Sequence, residues 1–310
     1  MENEVVFIVG CARTGSTLLR DVLNRSNHIC ITPETHFLRR LSRVGLWKQI
    51  QRFGDLTEDR NANRLVDYLF SPPKAAERNF WGWLNKQIDR EAFRRRVLDS
   101  DRSERAIFTI MMQVYAAQKR GPHINDLILG EKTPTHLYYV PTLMEWFPNA
   151  KLIHTFRDPR GIFVSTLKRL KAGKWGFKAR YPSLPNRMVA PLNTPLAVLH
   201  TTKTWFDAVR LHGVYQQRYA QQYRLLRFED FIVNPEQHVA QLCDFLGVPF
   251  ERRMIDGVIV IGSSYREQRR GPKGFDPQAV HRWQEHIDLL TRTWFSLLGS
   301  KYLKQFGYVP

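Results

Sequence analysis

Val5-Val-Phe-Ile-Val-Gly10-Cys-Ala-Arg13-Thr14-Gly15-Ser16-Thr17-Leu18-Leu19 is the stretch on which the fold turns. Its opening run is apolar, rich in β-branched residues and closed by glycine, the pattern of a buried parallel strand entering a tight turn. From Ser16 the apolar positions Leu18, Leu19, Val22 and Leu23 recur at helical spacing, so strand, loop and helix follow one another. Backbone N–H groups in such a loop, with the positive end of the helix behind them, make a site for phosphate or sulfate. Both glycines and the final hydroxyl of the G-x-x-x-x-G-K-[ST] nucleotide loop are present, but Ser16 stands where that loop has lysine and Arg13 brings the positive charge earlier. The lysine that would sit on β- and γ-phosphates is missing, which argues against a kinase or NTPase.

Outward from this loop the chain keeps an α/β rhythm. Asn27 to Thr32 predicts a second strand, adjacent and parallel to the first, and residues 37–120 show helical periodicity, many charges and no strand. Strands are expected at Asp126 to Glu131, Lys151 to Phe156 and Tyr223 to Phe228. Helices are expected from Thr135 to Trp146, after Pro159, over 196–220, and from Pro235 to a stop at Gly247, with Asn234 as N-cap. The stretch from Lys171 to Pro195, with four prolines and two glycines, reads as a mobile loop over a site. Strands alternating with helices predict an α/β fold, a P-loop-like parallel sheet with helices on both faces. A single domain over 1–310 is expected, its insertion at about 37–120 shaping an acceptor region.

Composition narrows the function classes. Lys and Arg number 47 against 29 Asp and Glu, a net charge of +18, which favours anionic partners. The basic residues are scattered, and neither tight cluster, Arg94-Arg-Arg or Arg269-Arg, is interleaved with aromatics, so a nucleic-acid partner is not expected. No run reaches the ~20 apolar residues of a membrane span, and the first residues are acidic rather than a basic leader, so the expected location is the cytoplasm. Cys11, Cys30 and Cys243 are odd in number and widely spaced, which fits reduced, buried thiols and no metal site.

Two motifs carry a resemblance. Val9 to Leu18 resembles the 5′-phosphosulfate loop of sulfotransferases that use 3′-phosphoadenosine 5′-phosphosulfate (PAPS), and His154-Thr-Phe-Arg157-Asp-Pro-Arg160-Gly-Ile-Phe-Val-Ser165 resembles their 3′-phosphate segment. An arginine leaving a strand is a bidentate phosphate donor, and a serine two turns into the next helix adds a hydroxyl to the same group. Gly130-Glu-Lys132-Thr-Pro134 resembles the lysine turn of the tyrosylprotein-type and bacterial branches, Arg227 to Phe250 the late strand and helix, and Gly271 to Trp283 the C-terminal nucleotide loop. Phe228 replaces a tyrosine common among relatives, and Arg13 stands where cytosolic small-molecule sulfotransferases carry lysine.

The resemblance implies PAPS as donor, with no metal, and a small-molecule, lipid or carbohydrate acceptor of unspecified identity. Arg13, Thr14, Gly15, Ser16 and Thr17 would take the 5′ end, Arg157 and Ser165 the 3′-phosphate, and Phe228 the adenine. Arg270, Lys273 and Gly274, with Arg269 as a neighbour of equal standing, would lie in a covering loop at about 262–276. Glu34, in Thr32-Pro-Glu34-Thr-His36, matches the family's base, with His36 and His136 as rivals; Lys132, with Arg13 close to the same charge, is the expected cation for the leaving oxygen. A nucleotide kinase and a non-catalytic nucleotide- or polyanion-binding protein are the alternatives, and the oligomeric state, a homo-oligomer included, is open.

Overall fold

The computed structural model describes residues 3–38, 50–70, 87–258 and 274–309. Five strands, β1 (Val5–Gly10), β2 (Ile29–Thr32), β3 (Ile128–Lys132), β4 (Lys151–Phe156) and β5 (Tyr223–Arg227), form one parallel sheet in the order β2-β3-β1-β4-β5. All six residues of β1 are buried, as a strand covered on both faces requires. The chain is therefore an α/β protein, as its strand and helix alternation predicts.

One expectation about the sheet is corrected: β2 is not the neighbour of β1, because β3 lies between them. The register runs Val5↔Leu129 to Ile8↔Lys132 on one side and Ile29↔Ile128 to Thr32↔Glu131 on the other. Gly130 makes room for this, since a Cβ there would stand 2.8 Å from both Ile31 Cγ1 and Val6 Cγ1. A side chain at the centre of β3 would push apart the two fully buried strands that flank it.

The chain divides into two compact units, Met1–Val9 with Leu23–Ile153, and Gly10–Val22 with His154–Pro310. In the first, α2 (Asp59–Phe70), α3 (Arg90–Leu98) and α4 (Glu104–Arg120) account for the helical region expected between 37 and 120, with no strand among its described residues. Ser103 starts α4 by accepting a hydrogen bond from the Ala106 N–H at 3.1 Å, and Gly121 ends it. The buried side of α4 sets Phe108 against Phe7 and Phe37, with ring centroids 6.1 and 4.7 Å apart. After β3 the chain makes a 3₁₀ turn, Pro134–Tyr139, before α5 (Val140–Trp146), where one continuous helix is expected from sequence; Pro141 lacks the N–H that a helix continuous from Thr135 would need there, and it sits instead in the first turn of α5.

The second unit contains α1 (Ser16–Leu23, whose last residue belongs to the first unit), α6 (Pro159–Lys171), α7 (Gly176–Arg180), α8 (Asn186–Arg218), α9 (Phe228–Val233), α10 (Pro235–Leu246) and α11 (Leu289–Gln305). Its core joins Phe163, Val164, Leu170, Ala197, Trp283 and Phe295. Gly247 ends α10 in the left-handed conformation, φ 77°, as expected, whereas Asn234 occupies the N-cap without a side-chain bond. The loop expected at 171–195 is largely helical: α7 lies within it, and α8 begins at Asn186 and contains Pro191 and Pro195. Prolines four residues apart free carbonyls on one face, those of Arg187 and Pro191, and both residues are exposed, so the helix does not bury the freed groups in its core.

Candidate functional site

Within the second unit the glycine-rich loop and the segment after β4 form one cluster. Arg13 Nε donates to Ser165 Oγ at 2.8 Å, and Arg157 Nη1 donates to the Arg13 carbonyl at 3.2 Å. Arg13 has a φ of 75°, rare for a residue with a side chain, and these two bonds hold its guanidinium side and its carbonyl at once. Thr14 Oγ1 donates to the Cys11 carbonyl at 2.8 Å and lies 2.7 Å from Thr155 Oγ1, which ties the loop to the end of β4. Gly15 has a φ of 84°, and a Cβ there would lie 2.6 Å from the Phe228 ring, so the loop needs glycine for both conformation and space. Ser16 is the first residue of α1, whose first-turn N–H groups have no intrahelical acceptors; Ser16 is buried and Thr17 exposed.

Phe228 has a second contact. The Arg157 guanidinium lies 4.0 Å from its ring centroid, a cation–π stack. Arg157 is further held by its carbonyl, which accepts from Trp205 Nε1 at 3.1 Å. Burial lowers its pKa, against the opposing charges of Glu229 and Asp158. Asp158 makes its contact with Arg160 instead, Nη2 to Oδ2 at 2.7 Å, and caps α6 by accepting from the Arg160 N–H at 2.8 Å. The Arg157-Asp158 sequence is thus not an ion pair: the acid anchors the helix and Arg157 is left directed at Phe228.

Within the first unit a different set assembles at the C-terminal ends of β2 and β3. Lys132 Nζ donates to Glu34 Oε1 at 2.6 Å, and His36 Nε2 lies 3.2 Å from Glu34 Oε2. The Lys132 side chain is 3% exposed and that of Glu34 40%, so the amine is enclosed and the carboxylate open. Burial acts to raise the Glu34 pKa, but the His36 hydrogen bond and the Lys132 charge outweigh it and hold the carboxyl well below the usual range.

Beneath this pair lies a buried scaffold. Glu131 Oε1 accepts from the Thr35 N–H and from Thr35 Oγ1, both at 2.9 Å, and from Thr133 Oγ1. Thr133 Oγ1 accepts from the Thr35 and His36 N–H groups at 3.0 and 3.2 Å. His136 Nδ1 stands 3.0 Å from Glu131 Oε2, and its Nε2 accepts from the Leu38 N–H at 3.3 Å. Both ring nitrogens of this buried histidine are therefore spent on the fold. Burial raises the Glu131 pKa, but His136 and the surrounding donors bring it below the ordinary value, so the acid is a buried carboxylate with three donors at Oε1 and His136 facing Oε2.

Of the residues expected from sequence, Arg13, Thr14, Gly15, Ser16, Thr17, Arg157, Ser165 and Phe228 come together in one unit, and Glu34 and Lys132 pair in the other. Gly274 donates its N–H to the Val258 carbonyl at 2.7 Å. Arg269, Arg270 and Lys273 lie outside the described residues. Sequence reasoning assigns no role to Glu131, whose only signal is an acid inside an otherwise buried strand. The cap role of Asp158 was also not read from sequence, although Asp before Pro at a helix start is its signal. Among the described residues no three of His, Cys, Asp and Glu group as metal ligands.

The model of a family described as the sulfotransferase family matches residues 5–252. Over 148 residues, 47% of this chain, the sequence is 28% identical to the omega-hydroxy-beta-dihydromenaquinone-9 sulfotransferase Stf3 of Mycobacterium tuberculosis, and the match covers 33% of that relative's length. Two solved structures share the fold at 19% identity: a sulfotransferase domain from the olefin synthase of Synechococcus PCC 7002, with TM-score 0.56 over 100% of this chain and 97% of that one. The other is a sulfotransferase domain from the curacin biosynthetic pathway, with TM-score 0.57 over 96% and 98%.

Proposed function

The chain belongs to the sulfotransferase family, and on that premise we propose that it transfers a sulfuryl group from PAPS to a hydroxyl or amine of a small-molecule or lipid acceptor. The observation that carries the donor assignment is the 2.8 Å bond from Arg13 to Ser165, which joins two anion motifs 152 residues apart. With Arg157 beside them, the cluster concentrates two guanidinium groups, several hydroxyls and a helix N-terminus, a donor set that fits a nucleotide with phosphate at both ends. The absence of lysine at Ser16 favours this over a nucleoside triphosphate. A hydroxyl is the favoured nucleophile because the related Stf3 is named for a hydroxylated substrate. Three free, buried cysteines support a reducing compartment such as the cytoplasm.

In this reading Glu34 accepts the acceptor's proton as its O–S or N–S bond forms, and Lys132 neutralises the oxygen from which the sulfuryl group departs. The ion pair links the two roles. Glu34 is a weak base while Lys132 and His36 hold it, and it gains basicity when the lysine's charge is drawn to the leaving oxygen. His36 orients the carboxylate. His136 is a structural group, since neither ring nitrogen is open to an acceptor.

Incubating the protein with PAPS and a cell extract, and searching by mass spectrometry for a sulfonate mass gain, tests the assignment and finds the acceptor. Calorimetry supplies a second reading: 3′,5′-adenosine bisphosphate binds far more tightly than 5′-AMP, and equal affinities overturn the donor assignment. Mg²⁺-dependent consumption of ATP points to a kinase. Bisphosphate binding with no release of it from PAPS points to a non-catalytic binder.

A further inference from the structure

Helix α11 presents two faces. Thr291, Phe295, Gly299 and Leu303 recur every four residues and are buried, and Phe295 enters the core of the second unit. The other face is apolar as well: Leu289 is 77% exposed, Leu290 83% and Leu297 74%, with Trp294 and Leu298 about half exposed. Trp294 Nε1 donates to Thr202 Oγ1 of α8 at 3.1 Å, and Tyr302 packs on Phe206 with ring centroids 5.9 Å apart. These contacts advance together along both chains, so α8 and α11 lie side by side in one direction. Leu199, 65% exposed, stands one turn before Thr202 and extends the apolar surface onto α8.

The two helices that carry this surface are mostly basic, and the adjoining acid Asp288, the N-cap of α11, is held by Thr291. Helix α11 contains Arg292, Lys301 and Lys304 and no acid. Helix α8 contains Arg187, Lys203, Arg210 and Arg218 against a single acid, Asp207, which is already paired with Lys203 at 2.6 Å. An exposed apolar patch of this kind marks a contact surface rather than ordinary scatter. Leucines with a tryptophan whose ring nitrogen is tied to the protein, edged by lysines on long stems, are the composition of a helix lying in the plane of a bilayer interface. The complementary partner is a surface of anionic headgroups. A second copy of the same face fits less well, because it would oppose helices in which basic residues outnumber acids. Spanning is excluded for this helix, since no described helix is long and apolar enough to cross a membrane.

We propose that α11, with the Leu199 turn of α8, docks the protein on the surface of anionic membranes. This inference is independent of the donor and acceptor assignments. The full chain is sedimented with vesicles of phosphatidylcholine alone and of phosphatidylcholine mixed with phosphatidylglycerol; it partitions onto the mixed vesicles and not the neutral ones, and added salt releases it. The double variant Leu290→Ser/Leu297→Ser, both at exposed positions, loses vesicle binding while retaining its melting temperature and its affinity for 3′,5′-adenosine bisphosphate. Replacing Lys301 and Lys304 by Gln lowers partitioning by roughly fivefold for each lysine. A wild-type chain that stays in the supernatant, or leucine variants that sediment as the wild type does, overturn the proposal. So does a concentration-dependent dimer that these leucine variants dissociate without any vesicle binding, which would assign the face to a second copy.

Discussion

Lys132 Nζ stands 2.6 Å from Glu34 Oε1, and the amine is enclosed while the carboxylate is open. The pair unites the residue expected to carry charge with the residue expected to carry the proton, from positions 98 apart in the chain. Its asymmetry supports the proposed roles: an enclosed cation for the leaving oxygen, and a more exposed carboxylate for the acceptor's proton.

Lys132→Ala lowers the saturated rate more than it lowers PAPS affinity, because negative charge on the bridging oxygen is greater in the transition state than in the bound donor. Steady-state kinetics with donor affinity measured separately check this. Lost affinity at an intact saturated rate would make Lys132 a ground-state ligand.

Glu34→Gln lowers the rate by about 10²–10⁴-fold and leaves bisphosphate binding nearly unchanged, as removal of a general base does. His36→Ala and His136→Ala are compared at saturating PAPS. His36→Ala acts through the orientation of Glu34 and is milder, and His136→Ala shows itself mainly as lost stability. A Glu34→Gln enzyme within about threefold of wild type rules the base assignment out.

Arg157→Ala weakens binding of 3′,5′-adenosine bisphosphate by roughly ten- to hundredfold, the value of a charge-assisted bond of about 1.5–3 kcal/mol, and barely alters 5′-AMP binding. Calorimetry with both nucleotides separates loss of the 3′-phosphate contact from general collapse of the site, which would weaken both equally.

Gly15→Ala forces a side chain into the left-handed region and toward the Phe228 ring 2.6 Å away. The conformation alone costs about 1–3 kcal/mol. The expected result is a lower melting temperature and, as the loop shifts its donors to relieve the strain, bisphosphate affinity roughly five- to hundredfold weaker, since each 1.4 kcal/mol is tenfold. Unchanged affinity would mean that the loop relaxes without moving its donors.

Stability falls in mild acid through His154. Burial, with the nearby His212, pushes its pKa down to about 3, and its Nδ1 lies 2.7 Å from the Tyr223 hydroxyl. The unfolded chain binds a proton below about pH 6.5 that the folded chain refuses, so this contribution to stability decreases as pH falls from there toward the folded value. The slope is about 1.4 kcal/mol per pH unit, and His154→Phe has a shallower one. Urea unfolding between about pH 7 and 5 measures both; parallel slopes would remove His154 as the cause.

The strand-loop-helix at the N-terminus, the strand at Lys151 to Phe156 and the stop at Gly247 were legible from sequence, because each rests on local chemistry: a β-branched run, a helical period, a glycine that alone accepts a positive φ. The residues proposed to bind anions could be picked out for a related reason, since an arginine at a strand end and a glycine-rich turn before a helix are set by their own few residues. Tertiary structure decided the rest. Only the packing around Gly130 places β3 between β2 and β1, only the exposed position of Arg187 and Pro191 lets α8 run through Pro191 and Pro195, and only the meeting of β2 and β3 pairs Lys132 with Glu34. The role of Glu131 was invisible because an acid in a buried strand is acceptable only when donors from distant residues surround it, and Thr35, Thr133 and His136 supply those donors through the fold. Sequence determines what each short segment prefers to be; which segments become neighbours depends on how their buried surfaces fill space together.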